Sequence, residues 1–242
     1  MTYLDNRNQV FCVIPAPGTQ DASFPENVYS EAFSAAGTVR EHWQTIVSAF
    51  EKIGPDILSQ RQERVRKMRH EDGATFNPFD DPSGRGIPWA LETIPFPITA
   101  AEWSTLEQGL IQRARLQEAI LADIYGGQDL VRAGKIPAEL VFDNSRFLRP
   151  CHGIVPAGAR YLTFYAVDIY RDPQGRFRVY RDYGSNPEGL GYALENRIVI
   201  SRIFHNLYHE TQIRRLAPFF HTFQQRLIEQ AAAFPRPPML VL

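Results

Sequence analysis

The stretch from Asp168 to Arg197, DIYRDPQGRFRVYRDYGSNPEGLGYALENR, carries the most specific structural pattern in this sequence. The run YLTFYAVDIYRD, which ends at Asp172, predicts one strand, and RFRVYRDYG predicts a second. DPQG between them predicts a tight turn, because Asp, Pro and Gly separate two alternating β-rich runs. The stretch therefore predicts a hairpin, followed by a helix that contains LENR.

Side chains near the end of the second predicted strand alternate between its two faces. Arg181 and Tyr183 are expected on one face and Asp182 on the other, while Asp168 lies on the first strand opposite that end. A carboxylate on one strand and two oxygen ligands two residues apart on its neighbour would converge on a hard cation such as Mg²⁺. The layout is typical of a metal–phosphate site that lacks some of its ligands, because an arginine cannot bind a metal at ordinary pH.

The residues of this stretch resemble the first half of the circularly permuted ATP-grasp family. Further matching blocks lie upstream, in GTVREHW (37–43), AAEWSTLEQGLIQRAR (100–115) and HGIVPAG (152–158), so that the resemblance covers about residues 28 to 215. So many ordered blocks are far more specific than a lone motif. The matching positions within the stretch are Asp168, Arg171, Asp172, Gly175, Val179, Asp182, Pro187, Gly189, Tyr192, Leu194, Glu195, Asn196 and Arg197.

The resemblance implies ATP-dependent joining of a carboxylate to an amine through an acyl phosphate, with ATP and Mg²⁺ as cofactors. It implies that Arg171 and Arg197 are catalytic cations that neutralise phosphate or a substrate carboxylate, since the planar arginine fork binds two oxygens at once. The residues implied to contact the nucleotide are Pro187, Glu188, Gly189, Arg113 and His152. The residues implied to bind metal are Asp168, Asp182, Glu195 and Asn196.

Several of these assignments leave an alternative open. Glu195 and Asn196 could instead position Arg197 within a network at the start of a helix. Arg113, together with its helical neighbours, could contact substrate or form ion pairs on the helix surface. His152 could contact substrate or form a structural hydrogen bond.

The departures from the family pattern weaken the expected metal site. Arg181 and Tyr183 stand where the family has Glu and Asn as metal ligands, and a guanidinium repels any cation held by Asp168. Glu118 replaces a family Asn, and Ser185 replaces a family Arg. Relocated oxygen ligands from Asp182, Glu188 or Asn186 are the alternative to a damaged site.

The resemblance also predicts how the chain is divided. Residues 1–27 are rich in Asn, Pro and Gly and are expected to form a loosely ordered arm, followed by a partial ATP-grasp-like domain over 28–234. Residues 235–242 are expected to begin a strand that leads into a further subdomain. The ATP-cradling lysines and glycine loop of the family have no counterpart in these 242 residues.

The fold class that we expect is α/β in the α+β sense, with a mixed, largely antiparallel sheet flanked by helices. Helices are predicted over about 38–70, over Ala100 to Tyr125, and from about Pro187 to Glu210. Thr99 and Glu102 are expected to cap the second helix, and Gly126 and Gly127 to end it. Trp43, Ile46, Val47, Phe50 and Ile53 are predicted to form one apolar stripe.

The composition excludes several classes of partner. The chain has 26 basic and 27 acidic residues and a formal charge of −1, without the overall field of a polyanion binder. No run approaches the length that a bilayer span needs, and the first residues lack the pattern of a leader. We therefore expect no nucleic-acid partner, no membrane partner and a cytoplasmic location. The expected partners are a small-molecule carboxylate or amine, and a protein or second chain that completes the ATP site.

Other chemistry-bearing residues predict no separate site. His205 and His209 have a zinc-chelating spacing, but a third ligand at a convincing spacing is absent from the sequence. Cys151 is expected to be a buried, inert thiol. Three hypotheses remain: half of a ligase completed by a second polypeptide, a degenerate non-catalytic member that binds a ligand or acts as a scaffold, and an active ligase with relocated metal ligands.

Overall fold

The computed structural model describes residues 2–4, 10–12, 29–73, 75–76, 87–88, 91–185 and 189–231. The strands are β1 (Thr2–Leu4), β2 (Val10–Cys12), β3 (Thr75–Phe76), β4 (Ile87–Pro88), β5 (Ala166–Arg171) and β6 (Phe177–Tyr183). The helices are α1 (Glu41–Glu71), α2 (Ala100–Tyr125), α3 (Asp129–Arg132), α4 (Ala138–Phe142), α5 (Leu190–Ile203), α6 (His205–Glu210) and α7 (Ala217–Ala231).

The strands pair two by two, and this arrangement confirms the predicted α+β class. β1 pairs with β2 and β3 with β4, both antiparallel, and β5 pairs with β6. The connection between β5 and β6 is too short for a parallel crossover, so this pair is also antiparallel. Each sheet has two strands within the described residues. The predicted hairpin is therefore present, with a first strand that begins at Ala166 rather than Tyr161.

The chain groups into two compact units. The first contains Met1–Thr99, Arg171–Arg176 and Gly189–Arg214, and the second contains Ala100–Tyr170, Phe177–Glu188 and Arg215–Leu242. The boundaries predicted at residues 27 and 234 stay a prediction, because the residues around the first boundary and beyond 231 lie outside the described ranges.

The core of the first unit forms where α1 packs against α5 and α6. The predicted stripe on α1 is confirmed, because Trp43, Ile46, Val47 and Phe50 are buried and Ile53 packs partly buried against them. The partners from α5, α6 and their junction are Val199, Ile203, Phe204 and Leu207. Burial of these apolar side chains supplies most of the stabilisation of this unit.

Two of the predicted helices are interrupted. Gly54 has φ 74° and ψ 165°, outside the helical region, and Pro55 follows it, so α1 bends at this point. The prediction of one continuous helix from about Pro187 to Glu210 is wrong. Phe204 has φ −118° and ψ 49°, and it separates α5 from α6. The Phe204 ring is buried and lies 5.4 Å from the Phe50 ring, so core packing outweighs local helix periodicity.

The second unit is built on α2, whose ends agree with the sequence prediction. None of its apolar residues is fully buried, and Trp103 is 36% exposed. Aromatic pairs supply further packing: Phe164 contacts Phe223 of α7 with ring centroids 5.3 Å apart, and Tyr125 stacks on Phe147 at 5.2 Å. Such pairs are stabilising beyond the area they bury.

The hairpin turn is held by one buried carboxylate and one aromatic ring. Asp172 accepts hydrogen bonds from the backbone N–H of Gln174 at 3.1 Å and of Arg176 at 2.9 Å, as Asp does in tight turns. Gly175 has φ 79°, and a Cβ there would lie 2.3 Å from the Tyr29 ring. Only glycine therefore allows this turn and this ring to lie together.

Replacing Gly175 by Ala should destabilise the protein by about 2 to 3 kcal/mol, because positive φ strain and overpacking against Tyr29 add together. Gly37 is the matched control, since its φ is 76° and nothing lies within 4 Å of a Cβ built there. Gly37→Ala should cost about 1 kcal/mol from strain alone. Urea unfolding of both variants measures the two losses. Equal losses would show that the Tyr29 contact does not constrain the turn.

Candidate functional site

Asp182 on β6 is held by two donors from other segments of the second unit. Arg113 of α2 forms a bidentate pair with it, with Arg113 Nε donating to Oδ1 at 3.0 Å and Nη2 donating to Oδ2. The hydroxyl of Tyr165, just before β5, also donates to Oδ1. The Asp182 side chain is 22% exposed and the Arg113 side chain 45%. This cluster ties α2 to the open end of the hairpin, where β5 begins and β6 ends.

The charges in this cluster fix its protonation. The hydrogen bonds from Arg113 hold the pKa of Asp182 below its usual range, against the opposing effect of burial. The same contacts raise the pKa of Arg113. Burial, and then the bond to Asp182, raises the pKa of the Tyr165 hydroxyl, which therefore stays a donor. Asp182 is accordingly a carboxylate whose lone pairs are used by protein donors.

Asp168 on β5 has a different partner on the opposite face of β6. The Tyr183 hydroxyl donates to Asp168 Oδ2 at 2.7 Å, and the Arg181 guanidinium lies 5.8 Å from the centroid of the Tyr183 ring. Contact with Tyr183, and to a smaller extent the charge of Asp168, raises the pKa of Arg181. The contacts of these residues confirm the predicted alternation, since Arg181 and Tyr183 are together and Asp182 has separate partners.

These residues do not fit a resident Mg²⁺ ion. A hard cation needs several oxygen ligands. Asp168 instead accepts a hydrogen bond from the Tyr183 hydroxyl and lies near the positive charge of Arg181. Both oxygens of Asp182 already accept hydrogen bonds from an arginine. Across the residues that the structure describes, no three His, Cys, Asp or Glu side chains are grouped so as to hold a metal. The donor chemistry of the hairpin is therefore that of an ion-pair network.

Arg171, one of the two predicted catalytic cations, is enclosed in the first unit. Its side chain is 7% exposed, and Nε donates to both carboxylate oxygens of Glu31 at 2.8 Å. Its Nη1 donates to the Gly175 carbonyl at 2.9 Å, and its guanidinium lies 5.3 Å from the Tyr29 ring centroid. Arg40 lies 4.5 Å from the same ring. Arg171 is thus committed to holding the hairpin turn, and its catalytic role stays a prediction.

The LENR block lies on α5, where Asn196 contacts a buried arginine of α1. Arg69 is 2% exposed and donates from Nη1 to Asn196 Oδ1 at 2.9 Å. Burial lowers the pKa of Arg69, and the nearby charge of Glu195 opposes this effect. The structure therefore brings Glu195 and Asn196 close to Arg69 of α1. Because these two predicted metal ligands belong to the first unit and Asp168 and Asp182 to the second, their joint role stays a prediction.

Arg197, the other predicted catalytic cation, is half-buried on α5. Within the described part of the chain, its side chain forms neither an ion pair nor a hydrogen bond. Gly189, with φ 101°, precedes α5 and accepts a hydrogen bond from the backbone N–H of Ala193 at 2.9 Å. Pro187, Glu188 and Asn186 lie outside the described residues, so their predicted roles are untested.

His152 and Glu118 both bond to backbone in the second unit. His152 Nε2 lies 3.0 Å from the Gly126 carbonyl oxygen, a geometry that fits the structural alternative for this histidine. The Glu118 carboxylate accepts hydrogen bonds from the backbone N–H of Tyr161 at 2.9 Å and of Leu162 at 2.7 Å. Glu118 therefore anchors the segment that leads into β5, which gives its departure from the family pattern a structural reason. The signal for this role in the sequence was the side chain of Glu118, which is longer than that of the family's Asn.

Comparison with known proteins places the part of the chain that contains α2 and the hairpin in a family. The family described as circularly permuted ATP-grasp type 2 matches residues 95–242, which is more than half of the chain. The chain belongs to the circularly permuted ATP-grasp type 2 family. The matched range contains α2, the hairpin strands and the LENR block, and the predicted family is therefore confirmed.

Relatives of this ATP-grasp chain include three bacterial proteins that are described as uncharacterized. A Mycobacterium tuberculosis protein is 33% identical over 222 residues, which cover 88% of this chain and 25% of the relative. A Mycobacterium leprae protein is 32% identical over 214 residues, covering 88% and 37%. A Synechocystis protein is 31% identical over 218 residues, covering 90% and 45%. The chain thus spans from a quarter to less than half of the length of these relatives.

None of the helices in the described ranges combines the length and the apolar character that crossing a bilayer requires.

Asp182→Asn should lower the free energy of unfolding by about 1 kcal/mol at pH 7, since the pair with Arg113 is partly exposed. The folded pKa of Asp182 lies below its unfolded value, so its contribution is present above about pH 4 and is lost as the pH falls through the folded pKa. Unfolding of wild type and variant by urea from pH 7 to pH 3 should show the difference shrinking as pH falls.

The matched control for this prediction is Asp143→Asn, an equal charge change at an exposed residue of the same unit. That variant should match wild type across the pH range. A difference for Asp182→Asn that stays constant from pH 7 to pH 3 would contradict the role assigned to its carboxylate.

Proposed function

We propose that this chain is the hairpin-bearing part of an ATP-grasp-like protein whose hairpin has lost its metal-binding role. The parent chemistry is ATP-dependent joining of a carboxylate to an amine through an acyl phosphate, as the family resemblance implies. The observation that supports the loss is the engagement of Asp182 by Arg113 and Tyr165 and of Asp168 by Tyr183. In this proposal the hairpin is a rigid electrostatic element.

The cationic side chains of the hairpin support the same proposal. Arg181 is exposed and, like any arginine at ordinary pH, keeps a permanent positive charge, which here lies beside Asp168. A permanently charged guanidinium can neutralise an anion without any metal ion and can bind two oxygens at once. We propose that Arg181 contacts an anionic group of a ligand directly.

The cation of the LENR block has the complementary role in this proposal. Arg197 is half-buried and makes no ion pair within the described part of the chain. An arginine without a carboxylate partner is available to bind a phosphate or carboxylate of a ligand. We assign anion binding to Arg197 and positioning of the turn to Arg171, whose guanidinium is bound to Glu31.

Turnover in this proposal needs subdomains beyond residues 1–242, supplied by a longer polypeptide or by a partner chain. The lengths of the relatives support this requirement, since the matched segment covers 25% to 45% of them. A second candidate function is a non-catalytic ligand-binding or scaffold protein of the same fold. The Arg181–Tyr183 contact favours it, because that contact occupies the positions that supply metal ligands in the family pattern.

Restoring the family residues should create a metal site. The double variant Arg181→Glu, Tyr183→Asn removes the guanidinium and the hydroxyl and places a carboxylate and an amide oxygen beside Asp168. Mn²⁺ as a spectroscopic substitute for Mg²⁺ should bind this variant and not the wild-type chain, measured by electron paramagnetic resonance. A restored site follows from the oxygen preference of both ions.

The matched control is Arg178→Glu, Tyr180→Asn, which makes the same two changes on the same strand. Alternation places these positions on the other face from Asp168, so this control should bind no Mn²⁺. Equal Mn²⁺ affinity of wild type and the restored variant would overturn the proposed loss of the metal role.

A further inference from the structure

A cleft in the first unit lies where both helix interruptions occur. Its volume is about 400 Å³, within the size range of small-molecule sites. Ile53, next to the Gly54 bend of α1, lines it together with Phe204 at the α5–α6 break. The cleft exists because neither helix continues straight through this point. None of the residues assigned to the hairpin or to the LENR block lines it.

The floor of the cleft is apolar and rigid. Ile203, Phe204 and Leu207 line it, and all three are buried members of the core of this unit. Phe204 is 2% exposed and is fixed by its contact with Phe50. A ligand with an apolar body would therefore meet a preformed surface and would not need to order it.

The polar wall of the cleft is cationic. Lys52 and Arg61 line it, and the Arg61 guanidinium is oriented over the Phe204 ring at 5.2 Å. Neither cation forms an ion pair within the described ranges, whereas Arg66 and Lys67 further along α1 pair with Glu63 and Glu71. Glu210 is the acidic residue of the lining, so Lys52 and Arg61 leave the cleft with a net positive charge.

We propose that this cleft binds a small organic anion, in which a carboxylate or phosphate group pairs with Lys52 and Arg61 and an apolar body lies against Ala49 and Ile53, the partly buried apolar residues of the lining. Charge complementarity selects the anionic group, since a bidentate guanidinium contact is stronger than a neutral hydrogen bond. The apolar surface that Ala49 and Ile53 still expose selects the apolar body. The geometry thus combines both features of a small-molecule site in one unit of the chain.

The test titrates the 242-residue chain with benzoate, phenyl phosphate and the neutral benzamide, followed by amide chemical shifts in ¹H–¹⁵N spectra. At least one of the two anions should shift the signals of Ile53, Phe204 and Leu207. The anion that binds more tightly shows whether the cleft prefers a carboxylate or a phosphate group. Benzamide should bind roughly ten-fold more weakly or not at all, because it lacks the charge.

Variants separate this site from general attraction of anions. Arg61→Gln should lower the affinity for the anion by roughly ten-fold, and Lys52→Gln should also lower it. Arg64→Gln is the matched control, since Arg64 is an exposed arginine of the same helix that does not line the cleft. Lys52 is exposed, so its variant keeps the test valid if Arg61→Gln affects folding.

Three results would overturn the proposal. The first is that neither anion shifts the signals of the cleft residues. The second is that benzamide binds as strongly as benzoate. The third is that Arg64→Gln weakens binding as much as Arg61→Gln and Lys52→Gln do.

Discussion

The bidentate pair between Arg113 and Asp182, completed by the Tyr165 hydroxyl, is the interaction that holds the open end of the hairpin. It joins α2 to β6 and to the residue before β5, so three separate segments of the second unit share one carboxylate. A half-buried carboxylate is stable only when such donors replace its lost water. Because those donors are arginine and tyrosine, we propose that this carboxylate does not bind a metal ion.

The same principle governs the first unit, where buried cations are matched by partners far away in sequence. Arg171 is bound by Glu31 beside the Tyr29 ring, and Arg69 is bound to Asn196. Removing one partner of such a contact leaves a charged side chain less compensated in the low-dielectric interior, which destabilises the protein. Arg171 and Asn196, which match the family pattern, therefore form contacts that stabilise the structure of this chain. The chain can therefore belong to the ATP-grasp type 2 family while its hairpin is held by ion pairs and hydrogen bonds.

Features set by local sequence were predicted, and features set by distant contacts were not. The ends of α2 and the stripe of Trp43, Ile46 and Phe50 follow from helical periodicity and glycine stops, and they were predicted from sequence. The break at Phe204 was missed, because burial of its ring against Phe50 overrides a continuous helical pattern. In the candidate site, the facing of Arg181, Asp182 and Tyr183 followed from strand alternation. The roles of Tyr165, Glu31 and Arg69 were not predictable, since each depends on a partner brought near only by folding.

Calorimetric titration of the wild-type chain with ATP, once with Mg²⁺ and once with EDTA, is the decisive test of whether the hairpin has lost its metal-binding role. The account predicts the same result in both titrations, because the hairpin carboxylates are bound to Arg113, Tyr165 and Tyr183 and contribute nothing to metal binding. Binding of ATP that appears only with Mg²⁺ would contradict it, and would mean that other oxygen ligands of this chain hold the metal.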